Sequence, residues 1–368
     1  MKKKILGLLM TLSLTITVAA CGSESSNVTN EEIQQEEQTS DISTKEDVST
    51  QKENSTEEDA LKAASEAEIE GDLVIALGDQ QADVFLWKVA QAKGFINDEF
   101  TEDNISVEVQ SFAGGPAVFE AVKAGSVQVG IAAFDPVINN AASGADVVII
   151  ADTGSYKDAY PIIVRKDSGI TNIKELEGHS VAVTAGSYRH NALLTALDSV
   201  GLSSSDIEMF NLPNSDILTA IQSGETDAAV VSISNYEAVS EYADIIDYVD
   251  EYKGTDLVLG AERSFVEQYP NTTARLLRVV KRTTDWMIEN REESMEIFAE
   301  AVGLDSPEKA ASFYDSMVFG LSYDTDSMKN AISSTIEFDL ENDILTNAPD
   351  VDALLDDTYF KLAGIEGR

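Results

Sequence analysis

From residue 73 onward, short apolar runs alternate with longer stretches in which apolar residues recur at helical spacing. Residues 73–77 read as a strand and residues 78–81 as a turn; the pattern up to Lys93 reads as a helix stopped by Gly94. A second strand is predicted over 105–110. Gly114-Gly115-Pro116 follows, with Pro116 suited to the first turn of a helix and Gly125 to its end. Residues 127–132 form a third predicted strand. Phe134-Asp135-Pro136 then opens a helix with Asp135 as the expected N-cap, Gly144 closes it, and 147–150 is a fourth strand. Wholly apolar strands joined by helices predict a parallel sheet covered on both faces.

The second half repeats the first. Strands are predicted at 180–184, 207–212 and 228–233, and Gly201 and Gly224 serve as helix stops. Ala121-Val122-Lys123-Ala124-Gly125 corresponds to Ala220-Ile221-Gln222-Ser223-Gly224, and Leu77-Gly78-Asp79 to Ala185-Gly186-Ser187. No short-period solenoid repeat accompanies them. Two equivalent α/β lobes imply a cleft between them, because ligands of open α/β sheets sit beyond the carboxyl ends of the strands. Linking segments are expected near 159–164 and 257–261. From about Glu262 the pattern turns helical, with a long amphipathic helix over 275–300 around Leu276, Val279, Val280, Trp286, Met287 and Ile297. That segment is expected to pack back on the first lobe.

Composition narrows the function. The 368 residues carry 66 Asp+Glu against 25 Lys+Arg, a net charge of −41. Phosphate neutralisation needs clustered Lys and Arg, so nucleic acid is not an expected partner. A single cysteine excludes a disulfide framework and a cysteine-based zinc site. Met1-Lys2-Lys3-Lys4 is a cationic start, and the apolar stretch 5–20 is shorter than the roughly 20 residues a spanning helix needs. It reads as a secretory signal over 1–20. Val18-Ala19-Ala20-Cys21 resembles the bacterial lipobox, whose cysteine is lipidated and becomes the mature N-terminus; Cys21, the one cysteine, stands where that motif requires it. Acyl chains there would anchor the protein to the extracytoplasmic face of a membrane. Residues 21–70 hold 15 acidic residues and 3 lysines and no aromatic, which predicts an extended, self-repelling tether. The expected organisation is thus signal 1–20, tether 21–70, lobe I 71–160, lobe II 161–261 and a helical segment 262–368. Residues 365–368, Ile-Glu-Gly-Arg, match a protease-cleavage tag and are left out of the fold.

Several segments resemble a known family. Ser111-Phe112-Ala113-Gly114-Gly115-Pro116 with Phe119-Glu120-Ala121-Val122-Lys123-Ala124-Gly125 is similar to the stretch before the third strand in solute-binding proteins of the nitrate/sulfonate/taurine importer class, the NMT1/THI5-like proteins. Val129-Gly130-Ile131-Ala132 with Asp135-Pro136, Gly144-Ala145-Asp146, Ile173-Lys174-Glu175-Leu176-Glu177-Gly178, and Val181-Ala182-Val183 leading to Gly186-Ser187 fit the same pattern. The resemblance covers residues 71–236 well and the C-terminal helices loosely. It implies a type II periplasmic-binding fold, two Rossmann-like lobes with a hinged cleft, and a monomer that delivers a solute to an ABC permease. Relatives in this class bind sulfonates, nitrate, thiamine-precursor pyrimidines or flavins. Fungal relatives that synthesise a pyrimidine use a cysteine-rich segment, which this chain lacks.

The residues themselves nominate a site. Ser187 is placed to cap a helix from Tyr188, after the turn at Gly186, and the exposed N–H groups with the positive dipole end would hold an anion. Arg189 in that first turn would add a charge-assisted contact; an ordinary salt bridge is the competing explanation. Gly114 and Gly115 permit close backbone approach to a ligand. Asp79 and Asp135 stand at strand ends, as caps or as partners for an ammonium, and either one opposite Arg189 would suit a zwitterion such as taurine. Gln80, Gln81, Asn214, Ser232 and Asn235 occupy equivalent loops as hydrogen-bonding groups, and Phe134 and Tyr188 could wall or stack on the guest. His190 has no nucleophile motif beside it, and G-x-S-x-G, P-loop and H-E-x-x-H patterns are missing. His179 reads as structural, and Trp87 and Trp286 as core. The expected function is therefore capture of a small organic anion, an alkyl sulfonate or taurine first, without catalysis, cofactor or metal. A nitrogen heterocycle and a sensory module are the alternatives.

Overall fold

The computed structural model of the chain describes residues 73–80 and 86–365. The expected signal, the tether, Cys21 and Gln81 lie outside the described residues, and only the backbone of Gln80 is described. The strands form two sheets. The first contains β1 (Leu73–Gln80), β2 (Ile105–Phe112), β3 (Val129–Ala133), β4 (Val147–Tyr156), β10 (Thr255–Glu262) and β11 (Met317–Ser322), in the order β11-β4-β10-β3-β1-β2. The second contains β5 (Pro161–Arg165), β6 (Ser180–Val183), β7 (Glu208–Asn211), β8 (Ala228–Val230) and β9 (Ala243–Tyr248), in the order β7-β6-β8-β5-β9.

Five neighbouring strands of the first sheet, β2-β1-β3-β10-β4, follow the order of the second, so the repeat in sequence is a repeat in topology. The apolar runs predict a parallel sheet, and neither sheet is purely parallel. β1 pairs parallel with β2 and β3, and β6 with β7 and β8. But β10 is antiparallel to β3 and β4, and β5 is antiparallel to β8 and β9. The reason is an exchange of strands: the chain leaves β4 to enter the second sheet as β5, between β8 and β9, and returns from β9 to the first as β10, between β3 and β4.

The two crossings are residues 157–160 and 249–254. The second was expected at 257–261, and those residues instead lie inside β10, where Leu257, Val258, Leu259 and Ala261 are buried. Apolar residues fill a central strand, and the polar stretch before them makes the crossing. Residues 255–261, assigned to lobe II on sequence, thus belong to the sheet of lobe I. Asp250 ties the crossings together: its carboxylate accepts from the Ala159 N–H at 3.3 Å and the Tyr160 N–H at 2.9 Å.

Helices α1 (Leu86–Ala92), α2 (Phe95–Phe100), α3 (Gly115–Lys123) and α4 (Phe134–Ala142) serve the first lobe; α5 (Tyr188–Ser199), α6 (Asn214–Ser223) and α7 (Ile233–Tyr236) serve the second. The C-terminal segment supplies α8 (Arg263–Gln268), α9 (Pro270–Glu289), α10 (Arg291–Val302), α11 (Ala311–Ser316), α12 (Thr325–Glu341) and α13 (Thr358–Leu362). It is not wholly helical, since β11 extends the first sheet antiparallel to β4. The single helix predicted over 275–300 is broken between α9 and α10, where Asn290 leaves helical geometry at φ −127°, ψ 56° and its amide donates to the Trp286 carbonyl at 2.8 Å.

One apolar cluster runs from Ile75, Leu77, Trp87 and Ile150 through Tyr156, Ala159 and Tyr160 to Val183 and Leu193 of the second lobe. Alternate residues of the first sheet, Ala132, Ile149 and Val258, face a second cluster with Val118, Phe119 and Ile138, which α12 covers with Met328, Ile332 and Ile336. Each fully buried side chain of this size contributes about 1.5–3 kcal/mol. The C-terminal helix α12 is thereby fastened to the first lobe.

Candidate functional site

The lobes meet at the N-termini of their helices. Asn214, the first residue of α6, donates to the Ala113 carbonyl at 2.9 Å while accepting from Thr184 Oγ1 at 2.9 Å. Asn139 of α4 donates to the Gly186 carbonyl at 3.3 Å. Gly115 begins α3 against α4, where a Cβ would fall 2.7 Å from Pro136, so only glycine fits.

Between them lies a cavity of about 20 Å³ walled by Gly115 and Pro136 of the first lobe, Tyr188 and Arg189 of the second, and Tyr160 and Thr255 of the crossings. Arg189 is 5% exposed, and its guanidinium lies 5.2 Å from the centre of the Tyr160 ring. Tyr160 in turn packs 5.5 Å from both Tyr156 and Tyr188. A cation in the first turn of a helix opposes the helix dipole, so its burial there needs a compensating gain. Ser187 caps α5 as the sequence predicts, accepting from the His190 N–H at 3.4 Å and donating to the Thr184 carbonyl at 2.6 Å. Burial pushes the His190 imidazole below its ordinary range, against the pull of Asp135.

A second cavity, about 290 Å³, shares Ala133 and Tyr188 with the first and reaches Phe134, Asn191, Lys253 and Phe338. Here Lys253 Nζ, in the second crossing, donates to Asp135 Oδ1 at 3.0 Å and Thr335 Oγ1 at 2.9 Å. The Tyr188 hydroxyl donates to the Lys253 carbonyl, and burial raises its pKa well above the ordinary phenol range. Asn191 of α5 donates through Nδ2 to Asp339 Oδ1 of α12.

Several nominated residues take other places than expected. Asp135 is not the N-cap of α4. Ala133 holds that position, and no side-chain cap bond is made. Asp135 sits in the first turn with its carboxylate engaged by Lys253 and its side chain 3% exposed, so it is already neutralised. Asp79 is sealed at 0% exposure with Lys88 Nζ 3.6 Å away; burial raises its pKa, opposed by Lys88 and Ser111. Ser232 bonds Ser234 at 2.9 Å, and neither it nor Asn235 lines either cavity. Gly114 lies in extended backbone against Asn214, 3.5 Å from an added Cβ. His179 pairs with Asp227 at 3.1 Å. Sequence reasoning missed Tyr160, Asn191, Lys253, Thr255, Thr335 and Asp339. Among the described residues no group of three His, Cys, Asp or Glu side chains is placed to hold a metal ion, and no helix is long and apolar enough to cross a membrane.

The family described as NMT1/THI5 like matches residues 82–294, more than half of the chain. The chain belongs to this NMT1/THI5-like family. A protein of Escherichia coli strain K12 named for binding aliphatic sulfonates is 30% identical over 233 residues, 62% of this chain and 71% of its own. Another so named, from Bacillus subtilis strain 168, is 27% identical over 281 residues, 75% of this chain and 83% of its own. The solved alkanesulfonate-binding protein SsuA of Xanthomonas axonopodis pv. citri, bound to MOPS, superposes with a TM-score of 0.70 at 20% identity, covering 78% of this chain and 99% of its own. The NMT1/THI5-like chain therefore has the periplasmic-binding fold, two α/β lobes joined by paired crossings.

Proposed function

We propose that this protein is an extracytoplasmic solute-binding lipoprotein of an ABC importer that captures a small organic anion, an alkyl sulfonate, between its lobes and releases it unchanged to a permease. Arg189 is the observation that carries this reading: a buried guanidinium beside the capped start of α5, facing the interlobe cavity. A guanidinium fork beside the positive end of a helix dipole suits a group with several equivalent oxygens. The names of the Escherichia coli and Bacillus subtilis relatives support the same ligand class. Taurine ranks below a plain alkanesulfonate, because Asp135, which would meet an ammonium, is taken by Lys253. Binding draws the lobes together by population shift, and the closed form is what a permease would recognise.

Calorimetry with butanesulfonate, taurine, nitrate, a pyrimidine and a flavin tests the ligand. Butanesulfonate is expected to bind, and Arg189→Ala to weaken it by about 1.5–3 kcal/mol, the range for bonds to a charged group. Binding of only the pyrimidine or flavin, or an unchanged affinity in the variant, overturns the assignment. The anchor has its own test: Cys21→Ser is expected to shift the protein from the membrane fraction to the medium, and a variant that stays membrane-bound refutes it.

A further inference from the structure

Asn191 and Asp339 meet where the second lobe touches the C-terminal helix. Asn191 is 3% exposed and Asp339 0%. One hydrogen bond joins them, from Asn191 Nδ2 to Asp339 Oδ1. The other two polar atoms of the pair, Asn191 Oδ1 and Asp339 Oδ2, are both buried and have no hydrogen-bond partner among the described residues. While Asp339 is ionised both are acceptors, and neither can satisfy the other. Each such orphan is unfavourable, because a buried acceptor without a donor has given up the hydrogen bonds of water for nothing. A single proton removes both at once: Oδ2–H would donate to Asn191 Oδ1 and close the ring of two hydrogen bonds that a carboxylic acid makes with a primary amide.

We propose that Asp339 is a neutral carboxylic acid in the closed protein, and that as a positioning residue it clasps Asn191 of the second lobe to α12, so that closing the cleft takes up one proton. The surroundings agree. Burial pushes the Asp339 carboxyl up to about 7, with Asp135 of α4 adding to the rise and Lys253 of the second crossing opposing it. Lys253 is committed to Asp135 and Thr335 rather than to Asp339. Asp256 of β10 lines the adjoining cavity, and burial raises its carboxyl as well. On α5, His190 beside Asn191 is held below its ordinary range. Glu337 and Glu341 of α12 itself are exposed.

When the lobes part, Asn191 leaves with the second lobe, water reaches Asp339, and its carboxyl returns toward the ordinary value of about 4. The closed form holds the higher value, so the proton favours closure. That contribution is complete below about pH 4 and is lost as pH rises through about 7. The linkage to ligand affinity rests on the reading above that a guest closes the lobes; the protonation of Asp339 does not.

Two measurements separate them. Carboxyl carbon-13 NMR of ligand-free protein held closed by a cross-link between Ala113→Cys and Asn214→Cys, which face each other across the cleft, compared with the same protein carrying Asp339→Asn, should reveal one carboxyl that is still protonated at pH 6 and is missing from the variant. An Asp339 signal already ionised at pH 6 overturns the proposal. Calorimetry with butanesulfonate should then show proton uptake on binding and an affinity about tenfold weaker at pH 8 than at pH 6. Asp339→Asn keeps both hydrogen bonds of the ring, so it should retain the tighter affinity and lose the pH dependence. Asp339→Leu, which leaves Asn191 unpaired, should bind more weakly at every pH. If Asp339→Asn keeps the wild-type pH profile, another group carries it and the clasp is refuted. If the NMR titration holds but no sulfonate binds, the ligand assignment falls and the acid–amide pair stands.

Discussion

Helices α4 and α5 open on the same cleft from opposite lobes, and their first turns carry opposite charges. In α4 the charge is Asp135, which Lys253 neutralises at 3.0 Å inside the protein. In α5 it is Arg189, packed against Tyr160 beside the small interlobe cavity. α4 has no side-chain cap, whereas α5 is capped by Ser187. The first lobe thus sets beside the cleft a carboxylate paired with a lysine of the crossing, and the second a guanidinium packed on a tyrosine ring at the positive end of a dipole. The two helix starts that meet at the cleft therefore differ in kind: one holds an acid already paired, the other a base stacked on an aromatic ring.

The contrast can be broken at its strongest point first. Lys253→Met leaves the Asp135 carboxylate buried without its partner, and unfolding should become easier by about 3–5 kcal/mol, the usual cost of breaking a buried pair. Adding Asp135→Asn should recover much of that loss in a denaturant titration. If the single and double variants are equally unstable, the pair does not balance the first lobe. Ser187→Ala tests the other side with a smaller effect. It should cost about 0.5–2 kcal/mol of stability through the lost cap, and leave the pH profile assigned to Asp339 in place. No measurable change would mean that α5 does not depend on its cap.

The same contrast explains what could be read from the sequence. Strand and helix positions, the glycine stops, the Ser187 cap and the repeat of one lobe in the other rest on local spacing, which a sequence displays directly. Which stretch of the chain supplies each inserted strand was hidden, because β5 and β10 look like any buried strand until their neighbours are known. Asp135 was misjudged for a related reason. Its pattern at the start of a helix fits a cap, but its partner Lys253 lies 118 positions away. Asn191 and Asp339 are separated by 148; neither shows in any local motif, since an asparagine in one helix and an aspartate in another are ordinary surface residues until folding buries them together. Arg189 draws notice in the sequence as a cation beside a helix N-terminus in a very acidic chain, and the structure places it on the wall of the small cavity.

The exchanged strands bear on biogenesis. A chain emerging from its N-terminus delivers β1 through β4 long before β10, and until residue 255 arrives β3 and β4 flank a vacant slot with unsatisfied edges. Such edges invite pairing with other molecules. Half of this polypeptide, expressed by itself, should therefore aggregate rather than give one sound lobe, and newly made chains should need shielding until nearly three quarters of their length is out.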